Sequence, residues 1–215
     1  MALVSKKHNF IFIHIFKCGG NSIRRALGGP SMDFPNPVEG YAELHGFHCE
    51  AIDLRKHFQK INDLEFWTQS FKFAFVRHPM DWILSTYFHI RTYTHKYQSQ
   101  VRNMGLAEFI RWYHVELNKV EKPYGANKFL NLREFVTDSH GEVMIDFIGK
   151  LENADRDMQE IFENTGLPSQ KVQIVNRNSQ KPNKPWIDFY DDKAYEAASI
   201  FLAEDINFFN YKWVK

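Results

Sequence analysis

A lysine, two glycines and a serine stand close together in the stretch FIFIHIFKCGGNSIRRAL, residues 10–27. That set suits the capture of an anion. Glycines let backbone N–H groups approach a ligand closely, and the start of a helix favours negative charge. Lys17 adds a full positive charge and Ser22 a hydroxyl donor. The order differs from the phosphate loop G-x-x-x-x-G-K-[ST], in which the lysine follows the glycines and the next hydroxyl holds Mg²⁺. Here Lys17 precedes Gly19 and Gly20. A phosphate or related oxyanion is therefore expected, rather than a metal–nucleoside triphosphate. Alone, the stretch also reads as an ordinary tight turn with a surface lysine.

A second set lies in FKFAFVRHPMDWILSTY, residues 71–87. Arg77 closes an apolar run, and Ser85 follows eight residues later. A residue at the end of a strand and one two turns into the next helix can converge on one set of ligand oxygens. Arginine offers a planar fork suited to phosphate, and serine a short donor. Taken singly, Arg77 reads as a salt-bridged structural residue and Ser85 as a packing serine.

The elements that must position these groups follow from the hydrophobic pattern. Runs at 10–15, 71–76 and 143–148 read as buried strands. Residues 23–27 read as a helix capped by Asn21 or Ser22 and stopped by Gly28-Gly29-Pro30. Further helices are expected over 50–58, from Pro79 onward, and over 106–117, 154–164 and 191–207. Segments 30–40, 91–104, 119–127 and 176–188 read as loops, and the aromatic tail 208–213 as packed on the core. Alternating strands and helices predict an α/β fold with an open, mostly parallel sheet flanked by helices. Ligands are expected at the carboxyl ends of its strands. One domain, 1–215, is expected.

With these elements in place, the two stretches resemble the nucleotide motifs of the sulfotransferases. FIHIFKCGGNSIRRAL is similar to their 5′-phosphosulfate loop, a strand followed by P-K-T/S-G-G-T/S-S. FKFAFVRHPMDWILSTY is similar to their 3′-phosphate motif, F-x-F-V-R-N/D-P-x-x-R-x-x-S-x-Y. The likeness is to the carbohydrate-type enzymes and their small bacterial relatives, and weaker similarity reaches VMIDFIGKLENADRDMQEI, VNRNS and EDINFFNYKW. The chain departs from the motifs at Phe16 for proline, Cys18 for Thr or Ser, Asn21 for Thr, His78 for Asn or Asp, and Trp82 for Arg. Cys18 lacks the hydroxyl, but its backbone N–H is expected to remain available.

The resemblance implies a P-loop-like three-layer fold and 3′-phosphoadenosine-5′-phosphosulfate (PAPS) as donor. It implies release of 3′,5′-phosphoadenosine (PAP) and no metal. The 5′ side falls to Lys17, Cys18, Gly19, Gly20, Asn21 and Ser22, with Lys17 also stabilising the leaving phosphate. The 3′-phosphate falls to Arg77 and Ser85. A general base is expected among the 10 histidines, in LHGFHCEAIDLRKHF between the two motifs. His45 fits that role and His48 is the alternative. His14 reads as a satisfied core residue. His89 and His95 are candidates for the acceptor cleft, as is segment 82–97 as a whole. Lys181 and Lys184 are placed to close over the nucleotide, and Glu152 to position a ligand or a helix.

The totals bound the remaining classes. The chain has 215 residues, 44% hydrophobic with 20 Phe, enough for one well-packed domain. A net charge of +1 provides no bulk field for nucleic acid or anionic membrane, and argues against a long, highly sulfated acceptor. Two cysteines make no disulfide framework, and no run approaches a membrane span. A soluble cytoplasmic enzyme acting on a small hydroxylated molecule or a carbohydrate is expected. The competing readings are a small-molecule kinase and a nucleotide-binding relative without turnover.

Overall fold

The apolar runs FIFI and FKFAFV form neighbouring strands, as a sequence rich in Phe and Ile favours. The computed structural model describes residues 2–29, 42–44, 50–92, 97–119, 130–173 and 182–215. These fall into two compact units, Met1–Val76 with Glu134–Asn176 and Arg77–Arg133 with Arg177–Lys215.

The first unit holds the sheet. Its strands are β1 (Ala2–Ser5), β2 (Phe10–Ile13), β3 (Ala42–Leu44), β4 (Phe71–Val76) and β5 (Phe147–Lys150), in the order β3-β1-β2-β4-β5. β2, β4 and β5 run parallel, and β1 lies antiparallel to both β2 and β3. Among the described strands only β1 therefore opposes the common direction, and the expected mostly parallel sheet is present.

Period-2 alternation puts Phe10 and Phe12 of β2 on the same face as Phe73 and Phe75 of β4. There they meet Ile23 and Ala26 of α1 (Gly20–Ala26) and Met158, Ile161 and Phe162 of α7 (Ala154–Thr165). The α7 contacts recur at helical spacing, so one stripe of the helix is buried. Phe12 stacks on Phe73 with centroids 5.3 Å apart. Lys72 projects to the other face, 5.7 Å from the Trp67 ring of α3 (Leu64–Gln69). Its ammonium is satisfied there by the Ser70 carbonyl at 2.6 Å and by Asp146 at 2.9 Å. α2 (Ala51–Lys60) buries Ala51, Leu54 and Phe58, as its spacing predicts.

Two strands were not legible, β1 and β3, and one was misplaced. The expected strand 143–148 begins only at Phe147. Val143 makes a single isolated bridge to Thr137, and Asp146 turns its carboxylate to the Lys72 N–H at 2.7 Å. The strand instead continues through Gly149, where a Cβ would stand 2.6 Å from the Phe75 ring. A glycine within a strand reads as a break, but here it admits a neighbour's ring.

The second unit is helical: α4 (Pro79–Thr92), α5 (Gln98–Val101), α6 (Leu106–Leu117), α8 (Asp192–Phe201) and α9 (Ala203–Phe208). Trp82 meets Tyr113 edge-on at 5.8 Å, and Tyr113 lies 5.6 Å from Phe201. Asp191 caps α8 by accepting the Ala194 N–H at 2.7 Å. The single helix expected over 191–207 is broken at Leu202 into α8 and α9. The expected loop 91–104 carries α5, tied back to α4 by Gln98 donating to the Arg91 carbonyl at 3.2 Å.

Asp205 of α9 is a buried carboxylate that organises this unit. It accepts the Leu132 N–H at 2.9 Å, the Arg133 N–H at 3.3 Å and Arg133 Nη1 at 3.4 Å. Burial pushes its pKa from 3.8 up to about 6, against the pull of those donors. The folded value lies above the unfolded one, so the carboxyl's contribution to stability is full below about pH 4. It is lost as pH rises through about 6. Asp205→Asn should therefore gain on wild type as pH rises from 4 to 7, by about 3 kcal/mol at most. Urea unfolding of both proteins at the two pH values checks this. An unchanged difference between them would refute it.

Candidate active site

The loop after β2 is a tight turn with an unusual occupant. The Cys18 N–H donates to the Ile15 carbonyl at 3.3 Å, which closes a β-turn over residues 15–18. Lys17 is the third residue of that turn, with φ +60°. Turns of this kind favour glycine or asparagine there, and a lysine costs about 1 kcal/mol or more. Phe16 occupies the second position, where proline presets the backbone. The Lys17 ammonium lies 5.8 Å from the Phe16 ring centroid.

Both glycines are required by their surroundings. Gly19 has φ +72°, and a Cβ there would stand 2.6 Å from Leu151 Cδ1. A Cβ on Gly20 would stand 1.9 Å from the ring of His14. His14 is a buried residue just past β2, stacked on Phe12 at 6.0 Å, in keeping with its expected place in the core.

Two expectations at this loop need correction. Neither Asn21 nor Ser22 caps α1. Gly19 holds the cap position without a side-chain bond, because its left-handed backbone starts the helix at Gly20, three residues earlier than the pattern implied. Asn21 is half-buried and Ser22 buried within the first turn. The Cys18 N–H is also not left for a ligand, since the Ile15 carbonyl takes it, and the thiol is buried. Sequence reasoning passed over Arg24, a buried guanidinium further along α1. Desolvation lowers its pKa to about 10, which leaves it charged at neutral pH.

Arg77 follows β4 directly and forms an ion pair with Asp81, in the first turn of α4. Ser85 stands a further turn along and is half-buried. Positions 77, 81 and 85 therefore fall along one stripe. Asp81 was not singled out from sequence, although its i,i+4 spacing from Arg77 was the available signal. Pro79 opens α4, where its missing N–H costs nothing.

Of the segment 82–97, residues 82–92 and 97 are described. Trp82 and Tyr87 are buried, and the Tyr87 hydroxyl donates to the Met104 carbonyl at 2.8 Å. Phe88 and His89 are half-buried. Lys184 donates to the Asp188 carbonyl at 2.7 Å and lies 4.2 Å from the Phe189 ring, so it is engaged within its own turn. Glu152 lies in the short 3₁₀ turn Leu151–Asn153 after β5. His45, His48, His95 and Lys181 lie outside the described residues. Among the described residues, no group of three or more His, Cys, Asp or Glu is placed to hold a metal ion, and no helix is long and apolar enough to cross a membrane.

The chain leaves β2, β4 and β5 at one end of the sheet, the carboxyl end of parallel strands, where α/β folds place ligands. Lys17 stands four residues past Ile13, and Arg77 one residue past Val76. The description "Sulfotransferase family" matches residues 1–212. The chain belongs to the sulfotransferase family, whose members generally take the sulfuryl group from PAPS. Neither a curated protein nor a solved structure matches the chain.

Proposed function

We propose that this enzyme moves the sulfuryl group of PAPS to a hydroxyl or amine of a small hydroxylated molecule or carbohydrate. The carrying observation is that both nucleotide motifs follow adjacent parallel strands in a chain that the family description spans almost end to end. We take the two units as parts of one sulfotransferase domain on the same ground.

Each group has a task in an in-line displacement. The acceptor oxygen or nitrogen bonds to sulfur while the bond from sulfur to the bridging phosphate oxygen breaks, and PAP leaves. Charge builds on the departing 5′-phosphate. Lys17 meets it with a full positive charge, and such stabilisation acts where charge develops in the transition state. Gly19, Gly20, Asn21 and Ser22 supply the rest of the 5′ cradle. Cys18 contributes shape, through its buried side chain, rather than a donor. Arg77 and Ser85 hold the 3′-phosphate, and Asp81 orients the Arg77 fork. His45, with His48 as the alternative, takes the acceptor proton.

No metal is needed, because Lys17 and the backbone supply the charge stabilisation. The chain's two cysteines suit a reducing, cytoplasmic setting. The near-neutral net charge favours a small acceptor over a polyanion or nucleic acid.

The test is transfer of label from ³⁵S-PAPS to a panel of small phenols, alcohols, amines, oligosaccharides and glycosaminoglycan-like chains, with PAP release followed in parallel. Transfer to small hydroxylated acceptors or short carbohydrates is expected. Turnover on glycosaminoglycan-like chains alone would overturn the acceptor assignment. PAP binding without transfer to any acceptor would make the protein a nucleotide-binding relative without turnover.

A further inference from the structure

His78 stands beside Arg77 at a position where the family's motif usually carries Asn or Asp, and its ring has well-defined partners. Nδ1 accepts the Met80 N–H at 3.3 Å, which assigns the ring proton to Nε2. Nε2 in turn donates to the Lys212 carbonyl at 3.0 Å. Trp186 stacks on the ring with centroids 4.7 Å apart, and Tyr211 meets it edge-on at 5.0 Å. The turn Trp186–Phe189 also leads to Tyr190, whose hydroxyl donates to the Met80 carbonyl at 2.7 Å. All of these residues lie in the second unit.

The contact to Met80 is an N-cap. His78 immediately precedes α4, and Met80 is the second helical residue, whose N–H has no partner within the helix. A cap side chain accepts that N–H, and Asn and Asp are the usual residues. Imidazole does here what a carboxamide or carboxylate does elsewhere. It then reaches further, to Lys212 and Trp186, as neither short side chain can. The substitution at this position is therefore a change of cap with an added anchor.

We propose that His78 is a positioning residue for the nucleotide: by capping α4 through Nδ1 and anchoring to Lys212 through Nε2–H, it fixes the adjacent Arg77 for the 3′-phosphate. This rests on the assignment of Arg77 to the 3′-phosphate made above. A loosened cap leaves Arg77 to be ordered at the moment of binding, and that ordering is taken from affinity. The effect falls on the KM for PAPS and the Kd for PAP, not on the chemical step.

The experiment measures PAP affinity by calorimetry, and KM and kcat for PAPS, in wild type, His78→Ala and His78→Asn, with folding checked by thermal midpoint. His78→Ala is expected to raise Kd and KM about fivefold with kcat at saturating PAPS held. His78→Asn keeps an acceptor for the Met80 N–H but loses the bond to Lys212 and the stack, and is expected to recover part of that loss, a partial rescue that a purely packing role would not give. Should His78→Ala not fold, Trp186→Ala leaves the cap in place but removes the stack, and is expected to raise Kd about threefold. PAP binding by His78→Ala as tight as wild type, or an Asn variant as impaired as Ala, overturns the proposal and leaves the nucleotide assignment standing. Wild type without PAP affinity overturns both.

Discussion

Lys17→Ala is expected to lower kcat by about 10²- to 10³-fold while the protein stays folded, the usual effect of removing one group that meets developing charge. The substitution removes the ammonium nearest the leaving phosphate in the proposed reaction. It leaves the turn, since the Cys18 to Ile15 bond is between backbone atoms. Lys17→Gly sharpens the test, because Lys17 sits at φ +60°. Glycine relieves that backbone cost, partly offset by its greater freedom in the unfolded chain. The variant should be as inactive as Lys17→Ala and more stable than it by up to about 1 kcal/mol. Such a pairing of gained stability with lost turnover marks strain held for function. Equal turnover in wild type and Lys17→Ala would remove Lys17 from the catalytic role.

Arg77→Ala is expected to weaken PAP binding by about 10- to 150-fold, the loss of a charged hydrogen-bonding partner worth about 1.5–3 kcal/mol. AMP binding, which lacks the 3′-phosphate, should change far less. Arg77→Lys should recover little, because an ammonium cannot present the planar fork to both Asp81 and a phosphate. Calorimetry with both nucleotides separates the outcomes. An equal loss for PAP and AMP would mean that Arg77 acts on the fold, through Asp81, and not on the 3′-phosphate.

Lys17 and Arg77 could be singled out because each follows a strand that declares itself. The apolar runs before Lys17 and Arg77 become β2 and β4, and their parallel pairing brings the two exits to one end of the sheet. What escaped was local and depended on neighbours far along the chain. The strand expected over 143–148 runs on through Gly149, because Phe75 takes the space its missing Cβ leaves. Asn21 and Ser22 looked like caps, but the left-handed Gly19 had already begun the helix. The Cys18 N–H looked available until Ile15 closed the turn. His78 looked like a departure from its motif, yet its ring performs the capping that the motif's Asn or Asp would perform. Each miss concerns which partner a backbone group finds, and period and composition do not carry that information.

The proposed reaction requires that the nucleotide be recognised by its 3′-phosphate as well as its 5′ end. The most direct test is thermal unfolding of the full chain with PAP, AMP or Mg-ATP at matched concentrations. PAP at about 100 times its dissociation constant should add about 2.7 kcal/mol of stability, AMP should add little, and Mg-ATP should not exceed AMP. Stabilisation by Mg-ATP alone would point to a kinase, and no stabilisation by any of the three would contradict the account at its root.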